Sequence, residues 1–370
     1  MNPLLELSKL GQSLWLDSIS RKILDGGVLA RLVKDDGLAG VTSNPSIFEK
    51  AIGEGVEYKP KLANLLAANP NASAMELYEA LAIQDIRDAT AVLRPVFDRT
   101  KGRDGFVSLE VTLENGEDEA SILEEARHLS SAVARPNVLI KVPGTADGIA
   151  AFETLTAEGI NVNVTLLFSV ATYAQVAEAY LAGLEARAEK TQDLSSAASV
   201  ASFFVSRIDS AVDPELEKKR AGALLGKVAI DNAKVAYARY LELFSGPRWD
   251  ALAAKGARTQ RVLWASTSTK NKSYRDVLYV EELVGKDTVN TAPPATIDAF
   301  RDHGKPRLSI GEDLDGARKR LASLAGLGID LEAVTDRLLD EGMKAFSDAF
   351  EKLLATIETQ RKSAPARSIP

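Results

Sequence analysis

Short β-rich apolar runs alternate with longer helical patterns along almost the whole chain, and this alternation confines it to βα units around a parallel sheet. Eight runs stand out: 13–17 (SLWLD), 38–42 (LAGVT), 106–112 (FVSLEVT), 137–142 (NVLIKV), 160–165 (INVNVT), 200–206 (VASFFVS), 261–266 (RVLWAS) and 287–291 (DTVNT). Eight strands with helices between them predict a closed (β/α)8 barrel, the TIM-barrel architecture, rather than an open doubly wound sheet. The 370 residues exceed an average domain, but barrels of this kind run to about 250 residues and beyond. A single barrel domain over 1–370 is therefore expected.

Two helical additions account for the extra length. The stretch 46–99 follows the second run, is divided by Pro60 and Pro70 into two or three helices, and reads as an insertion above the barrel. Asn71 is placed to cap a helix over 72–93, and Asp118 one carrying Ile122 to Val133. Asp213-Pro214 has the pattern of a helix start and should open a long helix through Leu243. After the eighth run, 295–303 is helical, a Gly/Pro turn fills 304–311, and apolar residues recur at helical spacing over 331–357. This C-terminal extension, about 312–358, could pack across the barrel mouth or along its flank. The polar tail 360–370, with two prolines, should fray.

Composition narrows the function classes. With 45% hydrophobic and 26% charged residues the chain has the balance of a soluble globular protein. It has no apolar run of membrane-spanning length and no signal peptide at its start, so a cytoplasmic protein without membrane contact is expected. There is no cysteine, which removes disulfides, thiolate zinc sites and a cysteine nucleophile together. The two histidines, His128 and His303, lie in polar surroundings and should be solvated, which argues against a metal cluster. A formal charge of -7 argues against a general nucleic-acid binder, yet two or three local basic residues suffice for one phosphate. Gly53 and Gly55 lack the strand-turn-helix context of a dinucleotide fingerprint. Trp15 and Trp264, inside strand runs, read as core or pocket wall.

The chemistry is signalled by charges inside apolar strands: Asp17 in LWLDSIS, Glu110 in FVSLEVTL and Lys141 in NVLIKVPGT. Charged groups are rarely buried unless paired or functional. In a barrel, side chains at the C-terminal ends of strands face the active-site loops, and Asp17 and Lys141 sit at such ends. Burial disfavours an ammonium and frees neutral amine to attack a carbonyl, whereas a nearby carboxylate works the other way. Carboxylates beside such a lysine can move the protons that imine formation and carbon-carbon cleavage require. A buried lysine-carboxylate cluster of purely structural role is the competing reading for any one of the three.

The segments GVTSNPSIFEKA (40–51), VSLEV, NVLIKVPGT, GINVNVTLLFS (159–169) and SFFVSRIDSAVD (202–213) resemble transaldolases, in this order and at compatible spacing across essentially the entire barrel. The resemblance implies that Lys141 is the Schiff-base lysine, that Glu110 orients a catalytic water and that Asp17 shuttles a proton during aldol cleavage. It places Asn44, in the Thr-Ser-Asn-Pro turn, at the dihydroxyacetone unit, with Ser43 beside it as a further substrate-binding residue, and Asn163 and Thr165 at the Schiff base and its water. Ser202 matches a substrate hydroxyl contact and Arg207 a phosphate-binding arginine, although without the motif Arg207 reads as a surface partner of Asp209 or Asp213. Lys270, in WASTSTKN, stands where many members carry arginine and is expected to contact the phosphate with less directional geometry.

The implied reaction transfers a dihydroxyacetone unit between sugar phosphates in the non-oxidative pentose phosphate pathway, without metal or cofactor because the protonated imine is the electron sink. The long insertion, the first-strand aspartate and the C-terminal extension resemble full-length transaldolases more than compact fructose 6-phosphate aldolases. An aldolase that releases dihydroxyacetone to water, and a non-catalytic sugar-phosphate-binding barrel, are the alternatives. Monomer and homodimer are both open.

Overall fold

The computed structural model describes residues 2–113 and 116–363. All eight predicted strands are present: β1 (Gln12–Asp17), β2 (Gly40–Thr42), β3 (Phe106–Glu110), β4 (Val138–Pro143), β5 (Val162–Leu167), β6 (Ser199–Phe204), β7 (Arg261–Ala265) and β8 (Thr288–Ala292). They pair in sequence order, all parallel, and close into a barrel where Gln12 to Leu16 meet Thr288 to Ala292.

Below the site, buried side chains fill the barrel interior around Trp15 and Asp104. Trp15 is fully buried and occupies the room that a side chain at Gly40 would need: a Cβ there would lie 2.4 Å from the indole. The indole N–H donates to Asp104, which also accepts from Ser13 at 2.8 Å and pairs with Arg261 at 2.9 Å. A buried ion pair of this kind is retained only when its remaining hydrogen-bonding groups are satisfied, and here Arg261 also reaches Ser13 Oγ and the Arg103 carbonyl. Trp264 is likewise fully buried.

The insertion forms three helices, Pro45–Glu54, Tyr58–Ala68 and Ala74–Arg99. The third starts two residues after the expected position because Ser73 and Glu76, not Asn71, close a reciprocal capping box at its N-terminus. Asp118 caps Glu119–Val133 as expected, accepting from Ser121 N at 3.1 Å.

Asp213-Pro214 does not open a helix. It lies inside Ser206–Lys218, and a separate helix, Val228–Leu243, follows after a break. The Asp213 carboxylate is used across the fold, accepting from Gly226 N at 3.1 Å and from the Tyr274 hydroxyl at 2.6 Å. One turn earlier, Asp209 accepts from Ala229 N and from the Tyr279 hydroxyl, each at 2.8 Å.

Burial, with the neighbouring Asp213 and Asp231 charges, outweighs these hydrogen bonds and pushes Asp209 up to about 7 from an ordinary 3.8. A carboxyl that binds its proton more tightly when folded loses stabilisation as pH rises through that interval. Asp209→Asn, which keeps an oxygen for Ala229 N, should therefore match the parent near pH 4. It should exceed the parent by about a few kcal/mol at pH 8. Thermal melts across pH test this, and parallel curves for the two proteins would refute it.

The C-terminal extension is Leu314–Gly326 followed by Leu331–Ser363, so 360–363 continue the last helix and are not frayed; 364–370 lie outside the described residues. The last helix packs on Pro45–Glu54, Ala74–Arg99, Ser206–Lys218 and β5, which places it across the barrel mouth. It comes close to the barrel at Gly342, where a Cβ would sit 3.0 Å from Leu166 and 3.7 Å from the Arg207 guanidinium. Leu166 is raised into that contact by a bulge in β5, where the register shifts and its own φ is +62°. Among the described residues no helix is long and apolar enough to cross a membrane.

Candidate active site

A cavity of about 240 Å³ opens at the C-terminal ends of the strands and contains most of the residues singled out above. Parallel register sets the lysine between its neighbours: Lys141 pairs with Glu110 of β3 on one side and Asn163 of β5 on the other. Matched positions on parallel strands share a face, so three separate runs bring a carboxylate, an ammonium and an amide side by side.

Lys141 is 6% exposed and donates from Nζ to Glu110 Oε2 and to the Ser43 carbonyl oxygen, both at 2.9 Å. An ammonium has three donors, so one is left for the cavity that Lys141 lines. Burial pushes the Glu110 carboxyl above its ordinary range, and the adjacent Lys141 charge only partly reverses that.

Asp17 lies at the end of β1 and accepts from Thr42 Oγ1 at 2.7 Å, while Thr42 Oγ1 is 2.7 Å from Thr291 Oγ1. Depth beneath the surface raises the Asp17 carboxyl, against the Thr42 hydrogen bond and the Lys141 and Lys270 charges. The two carboxylates therefore hold protons more readily than free ones, as proton carriers near a lysine should. Thr42 and Thr291 are not singled out by the sequence. Only closure of β8 against β1 brings Thr291 to this point.

Asn44 is fixed by a local duty. It caps Pro45–Glu54 through its side-chain oxygen, which accepts from Ile47 N at 3.0 Å, and its amide nitrogen is left for the cavity. Thr165 and Ser202 also line the cavity. Ser43 and Asn163 are fully buried and stand behind its wall. Ser43 Oγ donates to the Ser108 carbonyl at 2.7 Å, and Asn163 bridges Ser108 Oγ and Ser202 Oγ at 3.1 and 2.7 Å. These two support the wall rather than form it.

Arg207 and Lys270 lie on the cavity wall contributed by the segments after β6 and β7. Among the described residues, Arg207 has no hydrogen bond or ion pair, and its guanidinium carbon lies 5.4 Å from the centre of the Phe204 ring. Asp209 and Asp213, the partners a surface arginine would take, are bonded elsewhere. Lys270 is exposed and donates to Ser268 Oγ at 2.8 Å. Two cations on one wall, one of them unpaired, can hold a doubly charged oxyanion. His128 and His303 are exposed and away from the cavity, paired with Glu79 and with Asp276 and Asp302.

A family model described as Transaldolase/Fructose-6-phosphate aldolase matches residues 14–357. The chain is similar to a transaldolase of Thiobacillus denitrificans, 51% identical over 96% of this chain and 100% of that one. It also resembles a transaldolase of Trichodesmium erythraeum, 44% identical over 98% of each chain. A transaldolase of Neisseria gonorrhoeae is 45% identical over 96% of this chain and all of its own.

Proposed function

The chain belongs to the transaldolase/fructose-6-phosphate aldolase family, and from that premise we propose that it is a cytoplasmic transaldolase. It transfers a dihydroxyacetone unit from sedoheptulose 7-phosphate to glyceraldehyde 3-phosphate, giving erythrose 4-phosphate and fructose 6-phosphate. The observation that carries this reading is the buried Lys141 ammonium, held by Glu110 at 2.9 Å with one donor facing a cavity that also presents Asp17 and Arg207.

In this reading Glu110, whose anion is disfavoured by burial, first takes a proton from the Lys141 ammonium; the freed amine attacks the ketose carbonyl, and a proton passes from its nitrogen to the new alkoxide to give the carbinolamine. Glu110 then returns its proton, through a water, to the carbinolamine hydroxyl, which departs as water and leaves a protonated imine. Asp17 accepts the C4 hydroxyl proton while the C3–C4 bond breaks, its electron pair passing into the imine to give an enamine. The enamine attacks an acceptor aldehyde as Asp17 returns the proton, and water releases the product ketose. Arg207 and Lys270 hold the distal phosphate, and Asn44, Thr165 and Ser202 contact the three-carbon unit or the water.

The full-length match to relatives named transaldolases favours transfer over release. Incubation with fructose 6-phosphate and sodium borohydride, followed by peptide mapping, should give a dihydroxyacetone adduct on Lys141. Turnover should require an added aldehyde acceptor. An unmodified Lys141 in folded protein, with sedoheptulose 7-phosphate also tried, would leave a sugar-phosphate-binding barrel. Free dihydroxyacetone without acceptor would indicate an aldolase.

A further inference from the structure

Lys270 is a wall shared by two cavities: the one containing Lys141, and a second of about 320 Å³ lined by Asp209, Asp213, Tyr274 and Tyr279. The second cavity separates the helix Ser206–Lys218, with Arg207 in its first turn, from the segment 266–277 that carries Lys270. Two carboxylate-tyrosine hydrogen bonds join the helix to this stretch of chain, Asp213 to Tyr274 within the segment at 2.6 Å and Asp209 to Tyr279, in the helix Leu278–Glu282 that follows it, at 2.8 Å.

We infer that Tyr274 and Tyr279 are positioning residues for phosphate recognition: through Asp213 and Asp209 they lock the segment bearing Lys270 onto the helix bearing Arg207. The inference rests on the proposed role of Arg207 and Lys270.

Each end of the segment is held in a different way. At its start, Val205 N donates to the Ala265 carbonyl at 3.0 Å, Ser206 N to the Ser266 carbonyl at 3.1 Å, and the two serine hydroxyls lie 2.9 Å apart. After Ser268 the chain passes over the surface, where residues 270–273 are all exposed. A lysine on such a stretch has no fixed relation to Arg207 unless its far end is tied, and Tyr274 and Tyr279 supply the tie. Asp213 divides its two oxygens between Tyr274 and Gly226 N, and the Gly226 backbone rests on the tyrosine ring. A Cβ at Gly226 would lie 2.8 Å from that ring, and its φ of +68° also favours glycine. Both carboxylates are thus bonded on both oxygens to this junction, which leaves Arg207 free of them.

The test compares Tyr274→Phe, Tyr279→Phe and Arg207→Ala by steady-state kinetics with fructose 6-phosphate. It is paired with the rate of borohydride trapping by dihydroxyacetone, which has no phosphate. Each tyrosine variant should raise KM for the phosphorylated donor about tenfold, the effect of removing one charge-assisted hydrogen bond to the phosphate, with kcat and dihydroxyacetone trapping unchanged. A structural role alone would slow both donors equally, and that result overturns the inference. If Arg207→Ala raises KM while both tyrosine variants leave it unchanged, positioning fails and the phosphate reading stands. If Arg207→Ala leaves KM unchanged, the phosphate reading itself fails. Should Tyr274→Phe not fold, Tyr279→Phe gives the same readout.

Discussion

Lys141→Met is expected to remove donor trapping altogether and to lower transfer by more than about 10⁴-fold, because the covalent route to the enamine is lost. Methionine nearly matches the lysine in length, so β4 should keep its packing. The substitution leaves Glu110 without its buried partner, but the cost is limited because burial already raises that carboxyl and it can meet the loss by binding a proton. Circular dichroism of the variant should therefore match the parent. Borohydride adducts mapped to another lysine in this variant would remove Lys141 from the nucleophile's role.

Asp17→Asn separates bond cleavage from imine formation. The amide can still accept from Thr42 Oγ1, so the link from β1 through Thr42 to Thr291 is kept while the proton acceptor is lost. Turnover should fall by about 10²- to 10⁴-fold, the usual contribution of a positioned base, with trapping by fructose 6-phosphate retained. A base must be ionised to act, so parent activity should rise with pH through the Asp17 pKa. That limb should lie above the ordinary 3.8 because burial raises the group. In the variant the limb due to Asp17 should be missing from the residual activity. Normal turnover, or an unchanged acid limb, would end the proton-shuttle assignment.

All eight strands were legible in the sequence because each is a short β-branched or aromatic run between helical patterns. Lys141, Glu110 and Asp17 were legible because a charge in such a run is conspicuous. The contacts that fix those charges were not. Thr42 and Thr291 are ordinary strand residues, and their meeting beneath Asp17 depends on a pairing between the two ends of the barrel. The reading of Asp213-Pro214 as a helix start shows another limit. Aspartate before proline fits a cap locally, but here its oxygens are taken by Gly226 and Tyr274, distant in sequence. Ser73 displaces Asn71 as the cap for a local reason that the sequence did contain, since Ser73 and Glu76 have capping-box spacing. Placement of the last helix over the mouth depends on its packing against Pro45–Glu54, Ala74–Arg99 and Ser206–Lys218 and on Gly342 meeting a bulge at Leu166, long-range contacts that periodicity does not encode.

The site is also divided along the chain. Asp17, Asn44, Glu110, Lys141 and Thr165 come from β1 to β5 and the turns beside them, whereas Ser202, Arg207 and Lys270 come from β6 onward. In the proposed reading the proton and imine chemistry lies before β6 and both phosphate contacts lie after it, with Ser202 the one contact to the three-carbon unit or its water that comes from the second half. Recombination between relatives at a crossover after β5 would exchange both proposed phosphate contacts, and with them Ser202 and Thr291, while leaving Lys141, Glu110 and Asp17 in place. In the proposed reading, the grip on the donor's phosphate would follow the second half of the barrel.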